Sequence, residues 1–298
     1  MNKLPVMSTV SRSYGFLVGD ISTIVRIAWL PLLIAAALNF YIGGQSLDAW
    51  VAANGKMDVA MQSVQGNFLI SIVAFLANIM VLVALLQVVM YGDRKTGAPF
   101  YLWFGMTEIR LVITYLLLLV AMIAAVIGAG LVFGILAAVA AAAKGLGAIV
   151  VAAALALLIA GIWAILKLTI IPAVVVAEKS LGVERAWALM RGNGLRMFFI
   201  VILTFLPAGI IAVLLTFLIL GSDLPPFPDY SSLKSGPEEQ AAMRALMEKW
   251  QTEFYIVLRK HWPEFSVLNF VSAIISSALY AGVAGNAYLA LAGEPQRE

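Results

Sequence analysis

Six long apolar segments follow one another along the chain, and their lengths predict helices that cross a membrane. Each is near or above the ~20 residues that a helix needs to cross the core of a bilayer. The predicted spans cover residues 21–42, 67–91, 109–139, 146–176, 196–221 and 266–292. The third and fourth form one apolar stretch interrupted by Lys144 and Gly145. Since a single helix of that length would be about 100 Å long, we expect a hairpin that turns at 144–147.

Two further segments have the pattern of amphipathic helices. In residues 1–20 the apolar side chains recur at helical spacing on one face, which predicts a short helix lying in the cytoplasmic interface of the membrane. The apolar residues of this face are Met7, Val10, Tyr14, Leu17, Val18 and Ile21. A disordered N-terminus is the alternative. In the loop 222–265, a capping box at Ser235 and Glu238 precedes an apolar stripe, which predicts a helix on the outer leaflet or against the bundle.

The composition agrees with a membrane protein. Of the 298 residues, 63% are hydrophobic and 12% are charged, whereas soluble domains have about 45–50% apolar and about 25% charged residues. Such a chain lacks the charged surface of an ordinary cytosolic enzyme, and it has no basic run that would bind nucleic acid. We therefore expect an all-α polytopic transmembrane helix bundle that forms one domain over residues 1–298.

The distribution of Lys and Arg predicts the orientation. With the N-terminus inside, eleven of these residues fall on the inner side of the six spans and seven on the outer side. Cytoplasmic loops of membrane proteins carry an excess of Lys and Arg. We therefore expect both termini in the cytoplasm and the 222–265 loop on the extracytoplasmic side.

The sequence offers little for catalysis. It has no cysteine and one histidine, and it has no nucleophile, phosphate-binding or metal-binding motif. His261 stands beside Trp262 at the predicted membrane border, where an amphipathic ring is expected for structural reasons. We expect no catalytic residue, no cofactor and no metal site.

Polar side chains inside the predicted spans are the first functional candidates. Lys167 lies about two turns before the end of the fourth span, where it either extends to the interface or pairs inside the bundle. Asp20, before the first span, would be its partner if the first and fourth spans are neighbours. Amide side chains also occur in the spans, at Asn39, Asn78, Gln87, Asn269 and Asn286.

Small residues at spacing four predict close helix contacts. In the sixth span they form two stripes, Ala273, Ser277, Ala281 and Gly285, and Ala278, Gly282, Asn286 and Ala290. Gly130 and Gly134 mark the third span. Contacts within one chain and a homodimer face are both open. Pro31, Pro172 and Pro207 predict kinks in three spans.

One segment resembles a known family. Residues 172–200 read PAVVVAEKSLGVERAWALMRGNGLRMFFI. This is similar to a segment of the bacterial glycerophosphodiester phosphodiesterase membrane-domain family and its uncharacterised relatives, with Ala186 where members usually have Ser. The matching residues are Pro172, Glu178, Gly182, Trp187, Leu189, Arg191, Gly192, Asn193 and Arg196. The resemblance implies an all-helical domain of the bacterial inner membrane, and it implies no catalysis because the hydrolytic domain of some relatives is absent from this sequence.

The same segment predicts a headgroup anchor. A short helix over 181–191 would place Val183, Ala186, Trp187 and Met190 on one face, with Arg191 toward headgroups and glycines after it as the stop. The candidate anchor residues are Trp187, Arg191, Gly192 and Asn193. A plain interfacial re-entry helix is the alternative.

The sequence thus favours a non-enzymatic integral membrane protein that acts as a scaffold or accessory subunit. Its partners would be the lipid bilayer and a membrane protein or a second copy, and no nucleic acid. The alternative, which depends on Lys167, the prolines and the amides, is a transporter or channel for a small solute.

Overall fold

The computed structural model describes residues 2–53, 68–92, 104–142, 147–228 and 237–293, and these residues form helices without any strand. In chain order the helices are α1 (Val6–Gly19), α2 (Ile21–Ala52), α3 (Phe68–Tyr91), α4 (Met106–Ala142), α5 (Gly147–Leu168), α6 (Ile171–Glu178), α7 (Val183–Leu189), α8 (Gly194–Leu220), α9 (Pro237–Lys260) and α10 (Trp262–Ala292). A 3₁₀ turn, Gly221–Asp223, follows α8.

Six stretches in the described part of the chain are long and apolar enough to cross a membrane, which confirms the predicted all-α fold. They are Ile21–Ala52, Ser71–Tyr91, Met106–Ile135, Val150–Glu178, Gly194–Leu220 and Trp262–Ala292. The chain is therefore a membrane protein. Most of the hairpin turn predicted at 144–147 lies outside the described residues, and so does Ser235 of the predicted capping box.

The chain divides into two compact units. The first unit contains Met1–Ile27, Ile79–Phe205 and Ser277–Glu298, and the second contains Ala28–Asn78 and Leu206–Ser276. The boundaries fall inside α2, α3, α8 and α10, so each of these helices contributes to both units.

The core of the first unit is built from α6 and from parts of α3 and α10. Every residue of α6 from Ile171 to Val176 is buried. The small residues of α10 allow close approach, because a Cβ on Gly285 would lie 2.6 Å from Cγ1 of Val89 in α3. This contact confirms the predicted packing role of the small residues in this part of the sixth span.

Pro172 interrupts the fourth span, and α2 and α8 continue through Pro31 and Pro207. The break separates α5 from α6 at residues 169–170. Proline lacks the N–H that would continue the helix, so backbone carbonyls before it lose partners. The Tyr280 hydroxyl of α10 donates to the carbonyl of Thr169 at 3.1 Å, which supplies one replacement.

Helix α1 confirms the predicted N-terminal helix, and part of a second face of it packs against the protein. The buried side chains are Thr9, Val10, Ser13 and Phe16, while Met7 and Val18 are exposed. The two buried hydroxyl side chains bond to their own helix. The Thr9 hydroxyl donates to the carbonyl of Pro5 at 2.7 Å, and the Ser13 hydroxyl donates to the carbonyl of Thr9 at 2.8 Å.

Because their hydroxyls are satisfied locally, Thr9 and Ser13 lose no hydrogen bond on burial. Ser13 is also small enough to meet Gly282 of α10, where a Cβ would lie 3.0 Å from the Ser13 Cα. Small size and local hydrogen bonding thus decide which face of α1 packs.

The α4–α5 hairpin is the least buried part of the first unit. Helices α4 and α5 contact each other, yet no residue of α4 over 116–135 is buried. In the described chain, no atom beyond the local helix lies within 4 Å of where a Cβ on Gly130 or Gly134 would be. The contact predicted at these two glycines is therefore not made within the described residues.

In the second unit, the amphipathic helix α9 packs against α2. Arg259 Nε donates to Asp48 Oδ1 at 2.6 Å, and the Trp50 and Tyr255 rings stack with centres 5.0 Å apart. These contacts place α9 against α2, as one of the two predicted arrangements of this helix required.

Trp262, the first residue of α10, also contacts α2. Its Nε1 donates to the carbonyl of Phe40 at 2.9 Å. Its ring covers Gly43 so closely that a Cβ there would overlap the ring at 2.1 Å from Cζ2. Glycine is therefore required at this position of α2.

Candidate functional site

The first candidate site surrounds the turn between α7 and α8, which contains the predicted anchor residues. Gly192 has a φ of 78°, a left-handed conformation that glycine adopts without strain. The backbone N–H of Asn193 then donates to the carbonyl of Met190 at 3.0 Å. The turn ends α7 and directs Asn193 into the protein, where its side chain is buried.

Asn193 and Arg196 hold the N-terminal segment. The Leu4 N–H donates to Asn193 Oδ1 at 3.0 Å, and Asn193 Nδ2 donates to the carbonyl of Asn2 at 3.2 Å. Arg196 Nη1 donates to the carbonyl of Leu4 at 3.0 Å, and the Leu4 side chain is fully buried. The structure therefore gives Asn193 a tethering contact that the sequence did not predict.

Lys167 and Trp187 come together at the same end of the first unit. The Lys167 Nζ lies 4.0 Å from the centre of the Trp187 ring and 6.0 Å from the centre of the Trp163 ring. A cation over the face of an indole is attracted by the ring quadrupole. Trp163 in turn packs on Gly194, where a Cβ would lie 2.7 Å from the ring.

Two predicted residues, Asp20 and Arg191, are not part of these contacts. Asp20 is exposed between α1 and α2, and no ion pair joins it to Lys167 among the described residues. Arg191 is exposed at the end of the turn. Ala186 and Met190 are buried, while Trp187 is 45% exposed. The predicted pairing of Asp20 with Lys167 is not observed.

A second polar cluster joins α6, α7 and α10 in the first unit. Glu178 Oε1 accepts hydrogen bonds from Arg185 Nε at 3.0 Å and from the Tyr288 hydroxyl at 3.1 Å. The loop between α6 and α7 is tight, with Lys179 at a φ of 50° and Gly182 at a φ of 73°. The cluster fixes the position of α7, which carries Trp187.

A groove of about 770 Å³ lies beside this loop. One wall is an apolar part of α4 that includes Leu117 and Ala121, and the other is 180–185 with Ala188. Arg185 and Glu184 are its charged lining residues. A groove with an apolar wall beside charged groups could hold both the acyl chain and the headgroup of a lipid at the membrane border.

The second unit contains a smaller cavity lined by amides. Its volume is about 90 Å³. Its polar lining residues are Asn39, Asn78, Trp262, Ser266 and Asn269, and the remaining lining residues are Leu32, Ala35, Ala36, Phe40, Phe270 and Ala273. Three amide side chains from separate predicted spans, those of Asn39, Asn78 and Asn269, thus line one cavity.

Several of these relationships were not predicted from the sequence. Neither Leu4 nor Arg196 had an expected contact, and the amides of three spans were not expected to converge. The sequence carries no signal for this convergence, because Asn39 adjoins Phe40 whereas Asn269 lies seven residues after Trp262. Only the packing of the helices brings the amides together.

The described residues contain no group of three or more His, Asp or Glu side chains arranged to hold a metal ion. No protein-family model matches the chain, and neither a curated protein nor a solved structure matches it. The family resemblance of residues 172–200 therefore stays a prediction.

Proposed function

We propose that this protein is a non-enzymatic integral membrane protein that serves as a scaffold or accessory subunit of a membrane assembly. The observation that carries this proposal is the α4–α5 hairpin. Over 116–135 no side chain of α4 is buried against the described part of the chain. This apolar surface is therefore available to lipid, to another membrane protein or to a second copy.

Two glycines favour a protein partner over lipid alone. Gly130 and Gly134 lie one turn apart on the same face of α4, and Ile127 and Leu131 share that face. Helices in membranes associate where small residues let their backbones approach closely, because apolar side chains gain little by leaving lipid. A helix that faced only lipid would not need the gap that these two glycines leave on its surface.

A crosslinking experiment tests the accessory role. A photo-crosslinking amino acid at Leu131, which is 65% exposed on α4, is compared with the same group at Leu218, which is 78% exposed on α8. We expect a discrete protein adduct from Leu131 in native membranes and lipid adducts from Leu218. The double variant Gly130→Leu, Gly134→Leu should lose the protein adduct while its thermal unfolding stays unchanged.

Lipid adducts from both positions would contradict the proposal, together with a partner-free monomer in native mass spectrometry. A protein adduct that contains two copies of the chain would identify the partner as a homo-oligomer. An adduct with a different membrane protein would identify an accessory subunit.

We also propose that the protein lies in the bacterial inner membrane with both termini in the cytoplasm. The excess of Lys and Arg on one side of the spans supports this orientation, and the resemblance of 172–200 supports the location. The chain contains no cysteine, so single cysteines report sidedness. Asn2→Cys should react with an impermeant thiol reagent from the cytoplasmic side, and Lys249→Cys from the other side. Reaction of both from one side would contradict the orientation.

The amide cavity of the second unit favours a second candidate function, the movement of a small solute across the membrane. Asn39 and Asn269 supply polar groups inside predicted spans, as transport sites require. The test is the rate of glycerol entry into proteoliposomes that contain the wild type, Asn39→Leu or Lys167→Met. An entry rate equal to that of empty vesicles would remove this candidate.

A further inference from the structure

The amide cavity in the second unit contains hydrogen-bonding groups that the protein does not use. Asn39 and Asn269 line the cavity, and neither side chain hydrogen-bonds to any described residue. Asn78 donates from Nδ2 to its own helix at the carbonyl of Ala74, at 2.8 Å. Two whole carboxamides and the Asn78 oxygen therefore stay available to an occupant of the cavity.

These groups lie within the apolar spans and are exposed at the surface of the protein, so an unused amide there would face lipid, where it is costly. Asn269 stands seven residues inside the span that begins at Trp262, which is about 10 Å along a helix. Asn78 stands seven residues inside the span Ser71–Tyr91. A polar group without a hydrogen-bonding partner costs several kcal/mol in the hydrocarbon region. Three amides at one place indicate a polar occupant.

The other two polar groups of the cavity, Trp262 Nε1 and the Ser266 hydroxyl, donate hydrogen bonds within the protein. Trp262 Nε1 donates to the carbonyl of Phe40 at 2.9 Å, and the Ser266 hydroxyl donates to the carbonyl of Trp262 at 2.8 Å. These bonds shape the wall of the cavity at the start of α10. The amides remain as its recognition groups.

The lining residues indicate that the occupant of the cavity is uncharged. None of them is Asp, Glu, Lys, Arg or His, so an ion would lack a counter-charge in a medium where charge is expensive. Carboxamides both donate and accept hydrogen bonds, which suits hydroxyl and amide groups. About 90 Å³ is enough for several water molecules or a group of similar size, since one water needs ~10–15 Å³ of such space.

We propose that this cavity is a binding site for an uncharged hydrogen-bonding group, a hydroxyl or a carboxamide, reached from the membrane border at Trp262. The group is supplied either by a free solute or by the headgroup of a lipid. This proposal depends on the membrane placement of the chain and is independent of the accessory role and of transport. A failed crosslinking or flux experiment therefore leaves it standing.

Cysteine accessibility gives the first test, because the chain has no cysteine of its own. Ala273 lines the cavity and lies deeper in α10 than Val271, which is exposed but does not line it. In phosphatidylcholine vesicles, Ala273→Cys should react with an impermeant thiol reagent at least about tenfold faster than Val271→Cys, since a thiolate and a charged reagent both require water. Equal rates, or no reaction at Ala273→Cys, would overturn the proposal. Ala36→Cys, also on the lining, replaces Ala273→Cys if that variant does not fold.

Protection gives the second test and identifies the source of the group. Glycerol should slow the reaction of Ala273→Cys in phosphatidylcholine vesicles if a free solute binds. Phosphatidylglycerol vesicles should slow it without added glycerol if a lipid headgroup binds. Lys249→Cys, which is exposed on α9, corrects for viscosity and surface charge. Adding Asn39→Leu and Asn269→Leu should abolish either protection. Absence of protection in both kinds of vesicle would overturn the proposal.

Discussion

The ammonium group of Lys167 lies 4.0 Å from the centre of the Trp187 ring. Lys167 belongs to the span Val150–Glu178, and Trp187 belongs to α7, outside the spans. The side chain of a lysine within a span is thus directed to an aromatic ring outside it. The sequence predicted two arrangements for Lys167, extension to the interface or pairing inside the bundle, and this contact gives it an aromatic partner outside the spans.

A double-mutant cycle should measure this contact. Cation–π pairs contribute about 0.5–1 kcal/mol at exposed sites and about 2 kcal/mol when desolvated. We therefore expect Lys167→Met and Trp187→Leu to couple by about 1 kcal/mol in the free energy of unfolding, measured by thermal denaturation in detergent micelles. Trp163→Leu serves as the matched control, because its ring centre is 6.0 Å from the same nitrogen and its coupling should be smaller. Equal couplings at the two rings would contradict this account.

Asn193→Leu should release the N-terminal segment. The substitution keeps the approximate size of the side chain but removes the acceptor for Leu4 and the donor to Asn2. We expect a loss of about 1–3 kcal/mol, since buried backbone groups lose their partners. Hydrogen exchange at the Leu4 amide should become faster. Arg191→Ala, two residues away and exposed, should leave that exchange unchanged. Unchanged protection in Asn193→Leu would show that the tether is dispensable.

Glycines in packed and open positions should respond oppositely to a methyl group. A Cβ on Gly285 would lie 2.6 Å from Val89, whereas none of the described atoms beyond the local helix lies within 4 Å of one on Gly128. We expect Gly285→Ala to lower the free energy of unfolding by about 1–3 kcal/mol through overpacking. Gly128→Ala should be neutral or stabilise by up to about 1 kcal/mol through helix propensity. Thermal unfolding of both variants in one detergent checks this, and similar losses in both would contradict the packing described for α10.

The contact of the 3₁₀ turn with the end of α9 should weaken in acid. Asp223 Oδ2 accepts from Lys260 Nζ at 2.5 Å and lies 2.9 Å from His261 Nε2. The hydrogen bonds from Lys260 and His261 hold the pKa of the Asp223 carboxyl below its usual range. The stabilisation is therefore complete above the ordinary carboxyl pKa of about 3.9 and is lost as the pH falls through the lower folded value.

Hydrogen-exchange protection of the amides at 221–224, corrected for the intrinsic rate at each pH, measures this loss. The effect should shrink at high salt because the carboxylate is solvent-accessible. Asp223→Asn should remove the pH dependence at this turn. The same acid profile in Asp223→Asn and in the wild type would assign the transition to another group.

The sequence predicts the fold well because membrane spans depend on length and hydropathy, and both are local properties. Helices α2 and α8 begin, and α10 ends, within about two residues of the predicted span limits, and α9 follows from its apolar stripe. The face of α1 could not be predicted in the same way. Ser13 is buried because Gly282 lies opposite, and that partner is more than 260 residues away in the chain.

The candidate sites show the same limit. Lys167 and Trp187 were each identified from residue type and position, but their contact depends on the turn between α6 and α7. Asn39, Asn78 and Asn269 were visible as isolated amides, and only the packing of three helices brings them to one cavity. Residue chemistry is therefore predictable here, whereas the pairing of residues from different helices requires the structure.

The tether between the N-terminal segment and Asn193 also has a consequence for biosynthesis. Its bond from Leu4 to Asn193 joins positions 189 residues apart. At ~5–20 residues per second, the ribosome needs roughly 10 to 40 seconds to reach Asn193 after Leu4. During that time the Leu4 N–H lacks its acceptor on Asn193. Closure of the tether therefore distinguishes a chain whose synthesis has passed the start of α8 from a stalled fragment.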